Sequence, residues 1–218
     1  MKKVILFFCA LFLQLNIYAF NKNEEKAFTQ KLDLALMHLQ AHKSFELNFD
    51  QELYSLLRDK TSKSQGSIKI KSPNKFRFEI HKPRSELYVS NGTDFWKYTP
   101  DLKHAQHLSS NSLELNYISL LTNPASIKTA YKISHWTTEN PPPESANCIN
   151  IILEPKEEKQ QKLLYVSLNV NGGFLNELRI VQMNGNKVRL LFQNSKDTTS
   201  NNDVFDFKPP QGIVVDRN

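Results

Sequence analysis

The chain has 218 residues, a mass of 25.2 kDa and a formal net charge of +6, which suits one domain, or two small ones, with a real hydrophobic core. Its basic residues are spread along the sequence and form no Lys/Arg block, which argues against nucleic-acid binding and is compatible with anionic lipid or an acidic protein partner. With only Cys9 and Cys148 in the chain, a stabilising disulfide framework is excluded and stability has to come from packing.

The first element is a leader. Lys2-Lys3 precede an apolar run from Val4 to Leu15, broken only by Gln14, and Ala19 offers a small residue for cleavage. This predicts a secretory signal peptide over residues 1–19 and a single mature domain over 20–218. A retained anchor is the alternative, but the run falls short of the roughly 20 residues that span a bilayer. Removing Lys2 and Lys3 lowers the charge from +6 to +4. Cys9 lies too early for a lipidated residue at the cleavage site, and Cys148 reads as a small buried hydrophobe.

Asn21 to Lys43 has helical periodicity, with Phe28, Leu32, Ala35, Leu36 and Leu39 on one stripe. His38 and His42 are four apart; with no third ligand suggested nearby, they read as two solvated side chains rather than a metal pair. From Ser44 the period becomes two, with Phe45, Leu47, Phe49 and Leu53 on one side. A polar turn is predicted at Asp59–Ser64, then strands at Gln65–Lys71, Lys75–His81, Glu86–Ser90, Asp94–Tyr98 and His104–Leu108. Within Lys75–His81, Phe76, Phe78 and Ile80 alternate with Lys75, Arg77, Glu79 and His81, and Asn91-Gly92 marks a hairpin turn. His104 and His107 would point to opposite faces of their strand. Leu113 to Thr122 returns to a helical period, Leu113, Tyr117, Leu120 and Leu121 making one stripe, and Ala125–Ala130 gives a second short helix after Pro124. Pro141-Pro142-Pro143 sit in an exposed connection. Strands follow at Cys148–Leu153, Leu163–Val170, Phe174–Met183 and Lys187–Gln193, with Asn171-Gly172-Gly173 and Asn184-Gly185 as turns. The end carries Phe205 and Phe207 on one face, two prolines and a short closing strand.

These elements predict a mainly β (α+β) domain: one antiparallel sheet of about ten strands, large enough to curl. Its apolar inner face, rich in Phe, Leu and Ile, has to be filled by side chains, by helices or by a ligand, and the pattern leaves open which. There is no G-x-S-x-G elbow, Walker loop, H-E-x-x-H or C-x-x-C. No catalytic residues, metal site or cofactor are assigned.

Several short motifs, in order, resemble one family. They are Phe49-x-Gln51, Gly66 with Ile68-Lys69-Ile70, Pro73-Asn74-Lys75-Phe76-Arg77-Phe78, Pro83, Val89-Ser90-Asn91-Gly92, Trp96-x-Tyr98-x-Pro100 and Phe205-x-Phe207-x-Pro209-Pro210-x-Gly212-x-x-Val215. Behind a signal peptide, and spanning essentially the whole mature chain, they resemble the LolA family of periplasmic carriers for outer-membrane lipoproteins. The resemblance implies a curved, incomplete antiparallel β-barrel with an α-helical lid over an apolar cavity. It implies a periplasmic carrier, expected to be monomeric, that receives acylated lipoproteins from an inner-membrane ATP-driven releasing complex and passes them to an outer-membrane acceptor. On this reading Phe49, Phe76, Phe78, Ile80, Leu87, Val89 and Trp96 line the acyl-chain cavity, and Leu113, Tyr117, Leu120 and Leu121 belong to the lid.

The sequence departs from the family at two positions. An Arg usually precedes the proline at position 73, where it is associated with holding the lid closed and with release; here Ser72 stands there, as an altered gating position. A Gln is usual at the position of His104. The alternative reading is a related lipid-binding or lipoprotein-sensing half-barrel, which usually carries a second domain; a lipid-acting enzyme would show itself by acyl hydrolysis.

Overall fold

The computed structural model describes residues 23–108, 117–136, 147–157 and 162–217. The leader, Leu113 and the triple-proline connection lie outside them. Helix α1 covers residues 23–41. It buries Leu32, Ala35, Leu36 and Leu39, with Phe28 packed alongside, so the stripe of the helical period is the face that meets the core.

The strands are β1 (Ser44–Ser55), β2 (Lys60–Lys71), β3 (Lys75–Lys82), β4 (Glu86–Asn91), β5 (Phe95–Thr99) and β6 (His104–Leu108). Two single-turn helices follow, α2 (Ser119–Thr122) and α3 (Ile127–Ala130). The chain then forms β7 (Tyr131–His135), β8 (Cys148–Pro155), β9 (Lys162–Asn169), β10 (Leu175–Gln182), β11 (Lys187–Asp197) and β12 (Val214–Arg217). All belong to one 12-stranded sheet in the order β12-β6-β5-β4-β3-β2-β1-β11-β10-β9-β8-β7. Pairing of β1 with β11 joins the two meanders, while β7 and β12 stand at opposite edges, so the sheet stays open. Every pairing is antiparallel except β12 with β6.

The sheet has more strands than the expected figure of about ten, and the one not named from the sequence is β7, a five-residue run between a helix and a polar connection that carries too short an alternation to stand out. The polar residues read as a turn at Asp59–Ser64 are mostly strand. Lys60 to Ser64 pair with Ser55 to Gln51, and the turn occupies only residues 56–59.

One sheet face carries Leu47 and Phe49 of β1, Ile68 and Ile70 of β2, Phe78 of β3 and a continuation across β8–β11, all in one core with α1. The opposite face has a buried apolar patch beneath a C-terminal strap that crosses β2 to β6 in turn. Lys71 Nζ donates to Ser200 O (3.2 Å), Arg77 Nη1 to Val204 O (3.2 Å) and Asn91 Nδ2 to Asp206 Oδ1 (3.1 Å). Phe207 then packs on Trp96 and Tyr98, and Val214 N–H donates to Lys103 O (2.9 Å) as β12 begins.

The paired histidines of α1 are not solvated, contrary to expectation. The His38 Nδ1 lies 2.7 Å from Val170 O, and His42 places Nε2 2.7 Å from Gly172 O and Nδ1 2.7 Å from Asp197 Oδ1. The His42 ring stacks on Phe174 at 4.0 Å. They tie the end of α1 to the turn after β9, whose carbonyls would otherwise lack partners. On β6, His104 meets Asp216 and His107 meets Asp94, on opposite faces. Cys148 is buried, its Sγ accepting from Asn176 Nδ2 at 2.9 Å.

Candidate functional site

The inner face of β1 to β5 is built around a glycine. Phe49 and Gly66 are cross-strand partners, and an added Cβ at Gly66 would lie 2.5 Å from the tip of the Phe49 ring and 2.0 Å from Glu79 O. The missing side chain lets Phe49 lie flat across β2 and stack on Phe78, with ring centroids 4.6 Å apart and planes at 24°. Phe78 meets Tyr88 edge-on at 6.0 Å, and Phe76 meets Phe95 edge-on at 5.5 Å. Phe76 and Ile80 are only partly buried at the margin of this aromatic row, whereas Phe49 and Phe78 are enclosed.

Helices α2 and α3 cover the row. Ile118, Leu120, Leu121 and Ile127 are each 1–2% exposed and share one core with Phe45, Leu47, Phe49, Ile68, Ile70 and Phe78. The apolar concavity is thus filled by the chain itself. Desolvation pushes the Tyr117 hydroxyl above its ordinary range, and burial does the same at Tyr131 against a smaller opposing effect of its bond with Ser119. Neither helix has a side-chain N-cap, and each is four residues long, too short to persist without the surface it rests on.

The chain matches the family described as "Outer membrane lipoprotein carrier protein LolA" over residues 40–208. It belongs to the LolA family. It is similar to outer-membrane lipoprotein carrier proteins of three bacteria. The Photobacterium profundum protein is 25% identical over 175 residues, covering 79% of this chain and 82% of that protein. The Glaesserella parasuis protein is 24% identical over 209 residues, covering 94% and 91%. The Azotobacter vinelandii protein is 28% identical over 155 residues, covering 70% and 71%.

Within this LolA-family fold the expected cavity residues divide between two faces. Phe49, Phe76, Phe78 and Ile80 share the inner face. Leu87, Val89 and Trp96 do not: Phe78 pairs with Tyr88 and Arg77 with Val89, while Val89 pairs with Trp96, which puts all three with Arg77 and Glu79 on the outer face. There Leu87, Val89 and Ala105 are buried together with Phe205 on the strap side. The hydrophobic alternation of β4 is genuine but serves the strap. Tyr88 and Phe95 are inner-face aromatics that reading missed; their signal was hairpin parity, since the β3–β4 hairpin pairs even positions with even and the β4–β5 hairpin pairs even with odd.

Of the expected lid stripe, Leu120 and Leu121 are buried on the inner face and Tyr117 packs at its edge. Ser72 sits in the turn between β2 and β3, where its backbone N–H donates to Lys43 O at 2.8 Å.

The outer face of β10 and β11 is electrostatically locked. Glu177 Oε1 accepts from both Arg179 Nε and Arg189 Nε, the latter at 2.7 Å, and Arg179 also lies over the Trp136 ring at 4.8 Å. Burial alone would raise the Glu177 carboxyl, but the two guanidinium groups outweigh it and hold it below the usual carboxylate range.

Proposed function

We propose that this protein carries acylated lipoproteins across the periplasm from the inner to the outer membrane, holding their acyl chains between the inner face of β1–β5 and the α2–α3 lid. One observation carries the reading: within a LolA-family sheet, the apolar face is filled not by long side chains alone but by two single-turn helices bearing Leu120, Leu121 and Ile127. A filling with so little stability of its own yields to an apolar ligand of comparable volume. Each methylene withdrawn from water gains about 0.8 kcal/mol, so several acyl chains supply tens of kcal/mol, ample to displace it. Binding by burial alone needs no bond chemistry in the carrier.

On this reading the signal peptide over residues 1–19 directs export, an ATP-driven inner-membrane complex loads the monomeric carrier, and an outer-membrane acceptor unloads it. Phe49, Phe76, Phe78 and Ile80 form the acyl-contacting wall, with Tyr88 and Phe95 beside them. Incubation with inner-membrane vesicles and ATP tests the proposal. The expected result is release of lipoproteins into a soluble complex with this protein; acyl binding without release would favour a lipoprotein-sensing role instead.

A further inference from the structure

A second apolar feature lies at the end of the sheet where β1 turns into β2, away from the aromatic row. The turn over residues 56–59 closes with Asp59 N–H donating to Leu56 O at 3.3 Å, which puts Leu57 and Arg58 at its apex. Leu57 is 94% exposed, more than any other large hydrophobic side chain among the described residues. The neighbouring β10–β11 turn presents Met183, 74% exposed.

The two turns are fixed to each other. Leu56 N–H donates to Asn186 Oδ1 at 3.0 Å, and Leu56 packs so closely on Gly185 that a Cβ there would fall 2.3 Å from its Cδ2. Gly185 also has φ +80°, so glycine is required twice over. Leu56 thus anchors the pair while Leu57 and Met183 are left outside.

The charge around these apices is mostly positive, with Asp59 of the same turn as the exposed exception. Arg58, Lys60 and Lys187 are exposed beside them, and Lys82 and Arg84 are exposed around the next turn at that end. Of the nearby carboxylates, Glu52 is paired with Lys63 at 3.0 Å, while Asp59 keeps its charge and its Oδ1 accepts from Tyr54 O–H at 2.9 Å, facing back along β1; Arg58, Lys60 and Lys187 outnumber it.

We infer that this end of the sheet is a membrane-docking edge, in which Leu57 and Met183 enter the interfacial region of an anionic phospholipid bilayer while Arg58, Lys60 and Lys187 meet its headgroups. Two turn apices offer far less than the roughly 800 Å² per partner of a stable protein interface. Apolar side chains flanked by cations match a lipid surface, where shallow insertion and attraction to anionic lipid act together. Docking here requires no cargo, so it stands or falls independently of the carrier reading.

The test is co-sedimentation of the leader-processed, cargo-free protein with vesicles of phosphatidylglycerol and phosphatidylethanolamine, and with neutral phosphatidylcholine vesicles. Binding is expected on the anionic vesicles, weakened about tenfold or more by Leu57→Asp and also weakened by the double change Arg58→Gln, Lys60→Gln. Met37→Asp, an exposed methionine on α1, should leave it unchanged. A Leu57→Trp variant should shift its emission to the blue on anionic vesicles and be quenched by brominated acyl chains. Absence of binding, equal binding to both vesicle types, or full binding by folded Leu57→Asp would overturn the inference. So would Leu57-dependent retention on native inner-membrane vesicles but not on pure lipid, which would identify a protein as the occupant.

Discussion

The lid reading is tested most sharply by Leu121→Ala. Leu121 is 2% exposed in the core shared by α2 and the aromatic row. Truncation to Ala removes about three methylene equivalents of burial, about 2.4 kcal/mol, from the arrangement in which the lid fills the cavity. If acyl chains take that place, the loss falls on the empty closed state and not on the loaded one. The equilibrium then moves toward opening by the same amount, and at 1.4 kcal/mol per decade the apparent affinity for an acyl ligand rises up to about 50-fold. Leu39→Ala on α1, equally buried at 1% exposure, supplies the contrast: it should cost about 2–5 kcal/mol of stability with no gain in affinity. The assay is titration with a fluorescent diacylated lipopeptide, with urea unfolding alongside. Unchanged or weaker binding by folded Leu121→Ala, with the same stability loss as Leu39→Ala, would show that α2 is permanent core and that the lid argument is wrong.

Three other outcomes are expected. Phe76→Glu, at the partly buried margin of the row, should cripple acyl binding or lipoprotein release more than it lowers the unfolding midpoint; a variant that simply unfolds would make Phe76 ordinary core. Glu177 has a depressed folded pKa, so its pairing stabilises the fold above its unfolded pKa of about 4.3 and loses that contribution as pH falls through the folded value. Glu177→Gln should therefore cost about 1 kcal/mol at pH 7, discounted because both arginines are about 40% exposed, and should flatten the stability profile below about pH 4.3, as measured by urea unfolding across pH. Ser72→Arg, which restores the residue usual in the family, should speed handover to an acceptor if gating depends on this position; an unchanged or slower transfer rate, with fold and acyl binding intact, would exclude that dependence.

Most of the strands were legible because one face is wet and the other dry, and Asn-Gly turns punctuate them: β3 and β6 fall within a residue of where alternation puts them. What the sequence concealed depends on partners far along the chain. Leu87, Val89 and Trp96 alternate as any core strand would, and only the strap arriving more than a hundred residues later shows that their face is a second, shallower apolar layer. His42 reads as a surface residue of a helix until residues 172, 174 and 197 converge on its ring. The closing strand was visible as a strand, but its parallel pairing with β6 follows from the direction in which the strap crosses the sheet, and no local pattern encodes that.

The two sets of helices on the inner face differ in how firmly they are held, and the proposed carrier reading draws on that difference. Helix α1 buries four stripe residues and is bonded to the sheet through Lys31 Nζ to Cys148 O at 3.0 Å, through His38 and through both nitrogens of His42. Removing it would expose that stripe and strip the turn after β9 of its partners, a loss on the scale of the entire stability of a domain. By contrast, α2 and α3 are single turns. Their polar ties include the ion pair of Lys128 with Asp33, both about half exposed, and the bond from Lys156 Nζ to Lys128 O. A bond between Tyr131 and Ser119 and one from Lys156 N–H to Ala130 O (2.9 Å) add to these; an exposed ion pair is worth at most about 1 kcal/mol, so among the described residues the burial of Ile118, Leu120, Leu121 and Ile127 is the larger part of what keeps the two helices in place. That is the same kind of free energy an acyl chain supplies when it enters. A lid held by burial is exchangeable for lipid nearly one for one, whereas a lid held by buried hydrogen bonds would leave unpaired groups behind and resist the exchange. On the proposed carrier reading, α1 is the helix that stays and α2–α3 are the ones that yield.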